Sequence, residues 1–331
     1  MLMMLTTSSA KRLLRSVLAA SLLAMFSIGE SQALYPERAL RIVVPFAPGG
    51  GTDVVARTLA QEMARDLGVS VIIENKPGAG TIIGTQAVAV SAADGYTLLM
   101  ATFSHAVNSS LSPNLPYDPH RDFAPVAMIA RSFNIVVVNP KSPIQSIADL
   151  IAAAGANPDK LTFGTFGVGT SAHLAGELFK DLAKVKLTAV PYKGAAPAIT
   201  DLIGGQIDVM FTTVASAASL VESGQLRAIA VTSAERSPAF PRLPTVAEAG
   251  VPGYSAESWY GLFAPAGTSA AIIERLNQSA AAAVQSDGFR KLGANEGLVL
   301  IARPPEELDR YVRSEEQRWR RVIEDAGIKV E

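Results

Sequence analysis

The stretch LRIVVPFAPGGGTDVVAR, residues 40–57, decides the fold of this chain. Its apolar run, 40–46, predicts a buried strand, and the apolar periodicity over 53–67 predicts a helix that ends at Gly68. Three consecutive glycines, 49–51, join the two elements. Glycine permits close backbone approach, so such a turn presents main-chain N–H groups at a helix N-terminus, where an anion is stabilised. The stretch therefore predicts an α/β unit with an anion-binding turn.

Strand-like and helix-like runs alternate through most of the remaining sequence, and this alternation is typical of parallel sheets covered by helices. We predict strands over residues 40–46, 69–75, 96–102, 133–139, 161–166, 187–192, 207–211, 226–233 and 257–265. We predict helices over residues 53–67, 83–91, 147–155, 171–184, 197–203, 215–222, 269–286 and 305–326. The proline-rich segment 237–254 is predicted to be irregular.

The composition limits the classes of function. The chain has 331 residues, of which 49% are apolar and 18% charged, and its net charge is −1. Such a chain has ample material for a large core and no basic surface for nucleic acid. Cysteine is absent, which excludes disulfides, a thiolate nucleophile and cysteine metal sites. We predict neither a metal nor a cofactor.

The N-terminus has the pattern of an export signal. Basic residues precede VLAASLLAMFSI, 17–28, and small residues follow at positions 31 and 33. We predict a signal peptide over residues 1–33 that is cleaved after Ala33. The alternative is an uncleaved anchor, but twelve apolar residues are fewer than the roughly 20 that span a bilayer. No cysteine can carry a lipid there, so we expect a periplasmic protein that is not a lipoprotein.

A second glycine-rich turn, TFGVGTSAH, residues 165–173, also follows a strand and opens a helix. Two such turns that face each other across a cleft would bind a small carboxylate through main-chain groups, hydroxyls and water, because neither turn contains lysine or arginine. Each turn taken alone is also compatible with a simple strand–helix connection, and His173 with ordinary packing. The predicted ligand-binding residues in the two turns are Phe46, Ala47, Gly50, Gly51, Thr52, Asp53, Thr165, Gly167, Gly169, Thr170 and His173.

Two further residues are predicted to line the cleft. Ser104 follows the strand 96–102, at the carboxyl edge where ligands bind open α/β sheets. Phe211 ends the strand 207–211 and could form a wall of the cleft. The alternatives are a solvated loop around Ser104 and packing for the aromatic residues.

Two α/β halves follow one another along the chain, each opening on a glycine-rich turn. The runs 133–139 and 257–265 are candidates for strands that cross between them, which would create a hinged cleft. We predict one lobe from 34–135 plus 257–331 and a second lobe from 136–256.

Several motifs resemble those of a known family. PFAPGGGTDVVAR, GTFGVGTSAHLAGELFK, VPYKGAAPAITDLIGGQIDVMF and RLPTVAEAGVPGY are similar to the periplasmic Bug receptors of tripartite tricarboxylate transporters. The resemblance runs in order over the chain beyond residue 33. It implies a two-lobed periplasmic-binding-protein fold of type II, a Venus flytrap, with two parallel-rich sheets joined by a two-strand hinge. It also implies a monomer that binds a small carboxylic acid, for which the turn residues named above match the family's site, and delivers it to a membrane permease.

Two other functions stay open. A loaded receptor of the same fold could engage a signalling partner, and the sequence does not separate that role from uptake. An exported enzyme is the second alternative, but GTFGVG has the wrong glycine spacing for a dinucleotide site. The sequence also contains neither a G-x-S-x-G nor an H-E-x-x-H motif. We therefore predict a receptor and not an enzyme.

Overall fold

Buried strands and helices alternate through the computed structural model, which describes residues 35–112, 114–237 and 239–325. The predicted signal peptide and its cleavage point after Ala33 lie outside the described residues. The compact unit that contains the fold begins at Arg38. None of the helices in the described ranges is both long and apolar enough to cross a membrane.

The secondary structure falls into two successive series with a C-terminal extension. The first series contains β1 (Leu40–Val44), α1 (Gly51–Leu67), β2 (Val71–Asn75), α2 (Ile82–Ala89), β3 (Thr97–Thr102), α3 (Phe103–Leu111) and β4 (Phe123–Val138). The second contains α4 (Ile147–Ala156), β5 (Thr162–Thr165), α5 (Ser171–Ala183), β6 (Thr188–Pro191), α6 (Ala195–Ile203), β7 (Val209–Thr213), α7 (Val214–Glu222) and β8 (Arg227–Val231). The extension contains β9 (Glu257–Pro265), α8 (Ala270–Val284), α9 (Asp287–Glu296), β10 (Val299–Arg303) and α10 (Pro305–Asp325).

The quoted stretch folds as its periodicity predicts. In α1, Val55, Leu59 and Met63 are completely buried, so the apolar stripe packs on the sheet. Gly68 ends the helix with a φ of +71°, and its N–H donates to the carbonyl of Ala64. Glycine suits this left-handed position because it has no Cβ to clash with the backbone.

Two mixed sheets share the strand β4. In the first sheet β1 pairs in parallel with β2 and β3, and β9 joins β3 to β4 in antiparallel pairs. In the second sheet β5 pairs in parallel with β6 and β7, while β4 pairs with β7 and β8 in antiparallel directions. The change of sheet falls between Phe133, which pairs with Glu257 of β9, and Asn134, which pairs with Thr213 of β7.

The second passage of the chain between the sheets lies directly beside the first. The Ala256 N–H donates to the carbonyl of Thr232, just after β8, and β9 then begins at Glu257 in the first sheet. Both connections therefore run as adjacent extended segments. This arrangement fits the predicted two-strand hinge.

Four elements differ from the sequence-based expectation. β4 begins at Phe123, ten residues before the predicted strand, and its register shifts at two places. The helix α9 and the strand β10 were not predicted, and β10 is held by its pairing with β4, Val299 opposite Arg131. The segment after β3 forms the buried helix α3 and not a solvated loop, and Trp319 of α10 packs edge-on against Phe103 at a ring distance of 4.8 Å.

Candidate ligand-binding site

The turn between β1 and α1 is held by a buried carboxylate. Asp53 accepts hydrogen bonds from the Gly49 N–H at 3.0 Å, from Arg57 Nε at 2.9 Å and from Asn75 Nδ2 at 2.9 Å. Asn75 Nδ2 also donates to the carbonyl of Phe46. Burial raises the pKa of Asp53, but the hydrogen bonds from Arg57, Gly49 and Asn75 outweigh it and lower that pKa below its usual value. Asp53 therefore stays ionised and fixes the shape of the turn.

The N–H group of Gly51, the first residue of α1, is hydrogen-bonded to a residue of the second half of the chain. Gly50 is the N-cap residue of α1, and as a glycine it has no side chain with which to cap the helix. The Gly51 N–H donates instead to Ser216 Oγ of α7 at 2.8 Å, and that hydroxyl is 2.7 Å from Thr213 Oγ1. A Cβ at Gly51 would lie 2.5 Å from Thr213 Oγ1 and 2.9 Å from Ala215 Cβ. Only glycine fits at this contact.

A small cavity lies between the first turn and the second half. Its volume is about 10 Å³, enough for about one water molecule. Opposite the first turn, the Ala47 N–H donates to the carbonyl of Lys193 at 3.1 Å, next to the start of α6. An organic acid fits here only if the two sides separate. The cavity is lined by Phe46, Gly50, Gly51, Thr52, Phe166, Ala195, Thr213 and Ser216.

The turn between β5 and α5 is closed by its own hydroxyl groups. Thr165 Oγ1 accepts from the Gly167 N–H at 3.2 Å, and Thr170 Oγ1 donates to the Gly167 carbonyl at 2.7 Å. Gly167 and Gly169 have φ values of +132° and +75°, which favour glycine. Thr170 is also the N-cap of α5. The residues predicted from the second motif therefore come together in one tight turn.

His173 supports this turn from the first turn of α5. Its Nδ1 accepts a hydrogen bond from the Gly169 N–H at 3.3 Å, and its Nε2 lies 3.9 Å from Glu177 Oε1. Burial, with a smaller contribution from Lys180, lowers the pKa of His173 against the opposing effect of Glu177. A neutral ring with its proton on Nε2 fits both contacts. The position makes His173 a positioning residue for the turn, and its predicted contact with a ligand remains a prediction.

A third turn, residues 78–81, lies against the second turn, and the sequence reasoning did not assign it to the site. Asn108 of α3 donates from Nδ2 to the Gly80 carbonyl and to Thr81 Oγ1, both at 3.2 Å. A Cβ at Gly80 would overlap the Val168 carbonyl oxygen, so these backbones touch. A signal for this contact exists in the sequence, because KPGAGT is a further glycine-rich strand-to-helix turn.

The two remaining predicted ligand-binding residues, Ser104 and Phe211, are both buried. Ser104 lies in the first turn of α3, is almost fully buried, and its hydroxyl has no hydrogen-bond partner within the described ranges. Phe211 is completely buried and its ring packs against Phe163 and Phe179 in the core. The small cavity described above is not lined by either residue, and their assignment as ligand contacts remains a prediction.

Four lining residues of the small cavity were not among the predicted ligand contacts. Phe166 lies in the second predicted turn itself, directly after β5, and its ring lies edge-on to Phe46 at 6.2 Å. Ala195, Thr213 and Ser216 come from the starts of α6 and α7, which were not predicted to belong to the site. The signal that could have found these three is that each segment also passes from a strand into a helix, as the two predicted turns do.

Comparisons with known proteins agree on the family. The family model described as "Tripartite tricarboxylate transporter family receptor" matches residues 55–328. Protein BugT of Bordetella pertussis is 39% identical over 298 residues, which cover 89% of this chain and 91% of BugT. Rpa4515 of R. palustris, solved with adipate, is 40% identical with a TM-score of 0.86, and the match covers 89% of this chain and 99% of that one. MatC of Rhodopseudomonas palustris, solved with bound malate, is 34% identical with a TM-score of 0.84, covering 87% and 100%.

These matches confirm the resemblance that the motifs indicated. They extend over nearly all of each relative, so the similarity concerns the whole receptor and not one unit of it. The chain therefore belongs to the tripartite tricarboxylate transporter receptor family, whose members are binding proteins and not enzymes, and it is a Bug-type periplasmic solute receptor with the two-lobed fold of periplasmic binding proteins.

Proposed function

We propose that this receptor captures a small carboxylate between the β1–α1 turn and the second half of the chain, and delivers it to the membrane permease of a tripartite tricarboxylate transporter. Main-chain N–H groups, hydroxyls and ordered water bind the carboxylate. The lobes are residues 34–135 with 257–331, and residues 136–256. The change of sheet between Phe133 and Asn134 and the start of β9 at Glu257 support these boundaries.

One observation carries the proposal: three helix N-termini converge on the same small cavity. They belong to α1, α6 and α7, whose N-caps are Gly50, Gly194 and Thr213, and none of the three makes a side-chain capping hydrogen bond. Gly51, Ala195 and Ser216 from these helices line the cavity. Uncapped N–H groups and helix dipoles together favour an anion at this position.

The cavity lining contains no charged side chain among the described residues. An incoming carboxylate is therefore bound by dipoles and hydroxyls, each such hydrogen bond contributing about 1.5–3 kcal/mol. Three to five of them suffice for micromolar affinity, about 8 kcal/mol. The ligand replaces the bond from the Gly51 N–H to Ser216, so the two sides must part and close again around it.

Aliphatic dicarboxylates are the first class to test, because two relatives were solved with adipate and malate. A second acid group would extend from the cavity toward the second turn, residues 165–170, where Gly167 and Gly169 bring the backbone close.

The test is a thermal-shift screen over mono- and dicarboxylic acids, followed by calorimetry of each acid that raises the melting temperature. A receptor is stabilised by its ligand through mass action, by about 2.7 kcal/mol at a hundredfold excess over the dissociation constant. We expect at least one aliphatic acid to bind wild type and to lose affinity in Gly51→Val, while Gly155→Val binds as wild type. Gly155 is the matched control because a Cβ there meets nothing within 4 Å.

The assignment of the first turn is contradicted if no acid in the screen raises the melting temperature, or if an acid binds Gly51→Val as tightly as it binds wild type. Delivery is tested separately by uptake of the labelled acid in cells that carry the permease genes with and without the receptor. Uptake that does not depend on the receptor would favour the alternative role, a ligand sensor for a signalling partner.

A further inference from the structure

A second cavity lies on the opposite face of β4. Its volume is about 640 Å³, and Phe133 contributes to its lining. The next residue, Asn134, is paired with Thr213, which lines the small cavity at the first turn. Directly paired residues of antiparallel strands share a face, and consecutive residues of one strand point to opposite faces. Phe133 is therefore on the face of the hinge strand that points away from Thr213, and we call the cavity that it borders the rear cavity.

The walls of the rear cavity come from both sequence halves. Residues 233–237 follow β8. Gly293 and Ala294 lie near the end of α9, and residues 297–300 form its connection to β10 and the start of that strand. The lining includes the apolar side chains of Phe133, Ala294, Leu298 and Leu300. Small-molecule sites in proteins have volumes of about 300–1,000 Å³, mostly apolar walls and a few polar groups. The rear cavity has this size and mostly apolar walls, and its charged lining residues include the acidic Glu235 and Glu257 as well as arginines.

Three guanidinium groups border the rear cavity, from Arg131, Arg236 and Arg290. Arg236 is engaged by Glu248 at 2.8 Å. The ion pairs of the other two are long: Arg131 Nη1 lies 3.9 Å from Glu257 Oε2, and Arg290 Nη1 lies 3.9 Å from Asp287 Oδ1. Arginine recognises carboxylates through two parallel hydrogen bonds, and these two guanidinium groups retain that capacity.

Arg131 is the better placed of the two. It lies on β4 two residues before Phe133, so both side chains are on the rear face of the strand. The Arg290 side chain is 67% exposed, whereas that of Arg131 is 43% exposed. A carboxylate on Arg131 therefore places an attached apolar chain over Phe133 and over Val299, the β10 residue that pairs with Arg131.

We propose that the rear cavity is a second binding site, for a small amphipathic monocarboxylate. Arg131 binds the carboxylate, and the apolar chain packs on Phe133, Leu298 and Val299. The site is separate from the first-turn cavity, so the proposal stands independently of the ligand proposed there.

Octanoate is the probe, with octanamide as the uncharged and acetate as the chain-free comparison. We expect calorimetry on wild type to give a sub-millimolar dissociation constant for octanoate. Octanamide and acetate should bind at least tenfold more weakly, because octanamide lacks the charged hydrogen bond and acetate lacks the buried methylene groups. Arg131→Gln should weaken octanoate roughly tenfold. Ala294→Trp fills the cavity from the exposed side of α9 and should remove binding.

Matched controls separate the rear cavity from the rest of the surface and from the first turn. Arg121→Gln, an arginine whose side chain is 82% exposed, and Ala282→Trp, on the exposed face of α8, should bind octanoate as wild type. Gly51→Val should also retain octanoate binding, and melting curves confirm that each variant is folded. The proposal is overturned if wild type does not bind octanoate at millimolar concentrations, if Arg131→Gln and Ala294→Trp both bind as wild type, or if Gly51→Val abolishes binding.

Discussion

Replacing Gly51 with alanine adds one methyl group at the tightest contact between the first turn and α7. The new Cβ would lie 2.5 Å from Thr213 Oγ1 and 2.9 Å from Ala215 Cβ, both too close without a shift of the backbone or of these side chains. Gly51 is the first residue of α1 and is not among the positive-φ glycines, so the helix itself accepts alanine. The methyl group therefore disfavours the closed arrangement and leaves the fold of each half unchanged.

The magnitude follows from the cost of overpacking, typically about 1–3 kcal/mol. If the two sides close again around the bound acid with Gly51 still against Thr213, this cost raises the dissociation constant of the acid by about 5- to 150-fold. Calorimetry with the acid found in the screen measures the change, and small-angle scattering with saturating acid reports whether the particle still becomes more compact. We expect a smaller compaction in Gly51→Ala than in wild type at equal acid concentration.

Gly155→Ala is the matched control for this experiment. It also replaces a helical glycine, but its Cβ would meet nothing within 4 Å. The reasoning is refuted if Gly51→Ala binds the acid within about twofold of wild type, or if Gly155→Ala loses as much affinity. A factor of two is below 0.5 kcal/mol, roughly half the smallest overpacking cost.

Three further predictions concern stability and the second turn. Burial lowers the pKa of His105 to about 4. The free energy of unfolding should therefore fall as the pH drops below 6.5, by up to about 3 kcal/mol near pH 4. His105→Gln should make the melting temperature less dependent on pH in this range. Asp53→Asn should lower the melting temperature at pH 7, because about 2 kcal/mol of charged hydrogen bonding is lost. The difference in melting temperature from wild type should shrink as the pH falls through the lowered pKa of Asp53, below 3.8. An equal difference at all pH values would contradict this prediction. His173→Ala should leave the Gly169 N–H without its acceptor. Chemical denaturation should show a loss of about 1–3 kcal/mol in the free energy of unfolding, and calorimetry should show weaker binding of the acid. Unchanged stability and affinity would show that the turn keeps its shape without His173.

The local elements were predictable because each is written in a short stretch of residues. The apolar stripe of α1 and the glycine that ends it depend on nearest neighbours alone, and the structure agrees with both. The strand β9 has the predicted bounds, 257–265, because its run of apolar and aromatic residues is long and interrupted by only one glycine. β10 is different: its five residues pair only with β4, so no local pattern determines it.

The site shows the same division. The two glycine-rich turns were found in the sequence because a turn between a strand and a helix has a compositional signature. The partner of the first turn was not found, since Ser216 is 165 residues away from Gly51 and lies in an ordinary helix start. Phe211 was assigned to the cleft from its place at a strand end, whereas its ring packs against Phe163 and Phe179. Which face a strand-end side chain occupies depends on the register with β4.

By itself the sequence determined the class of fold and the two main-chain turns, because apolar periodicity and glycine placement act over a few residues. The family was indicated by the resemblance of whole motifs. Only the tertiary structure decided that the N-termini of α1, α6 and α7 meet at one cavity. It also decided that Phe133 borders the rear cavity, whereas the next residue, Asn134, pairs with Thr213 of the small cavity. These facts depend on strand register and on packing between distant segments. Such contacts form only when the whole chain has folded, and no short stretch of residues encodes them.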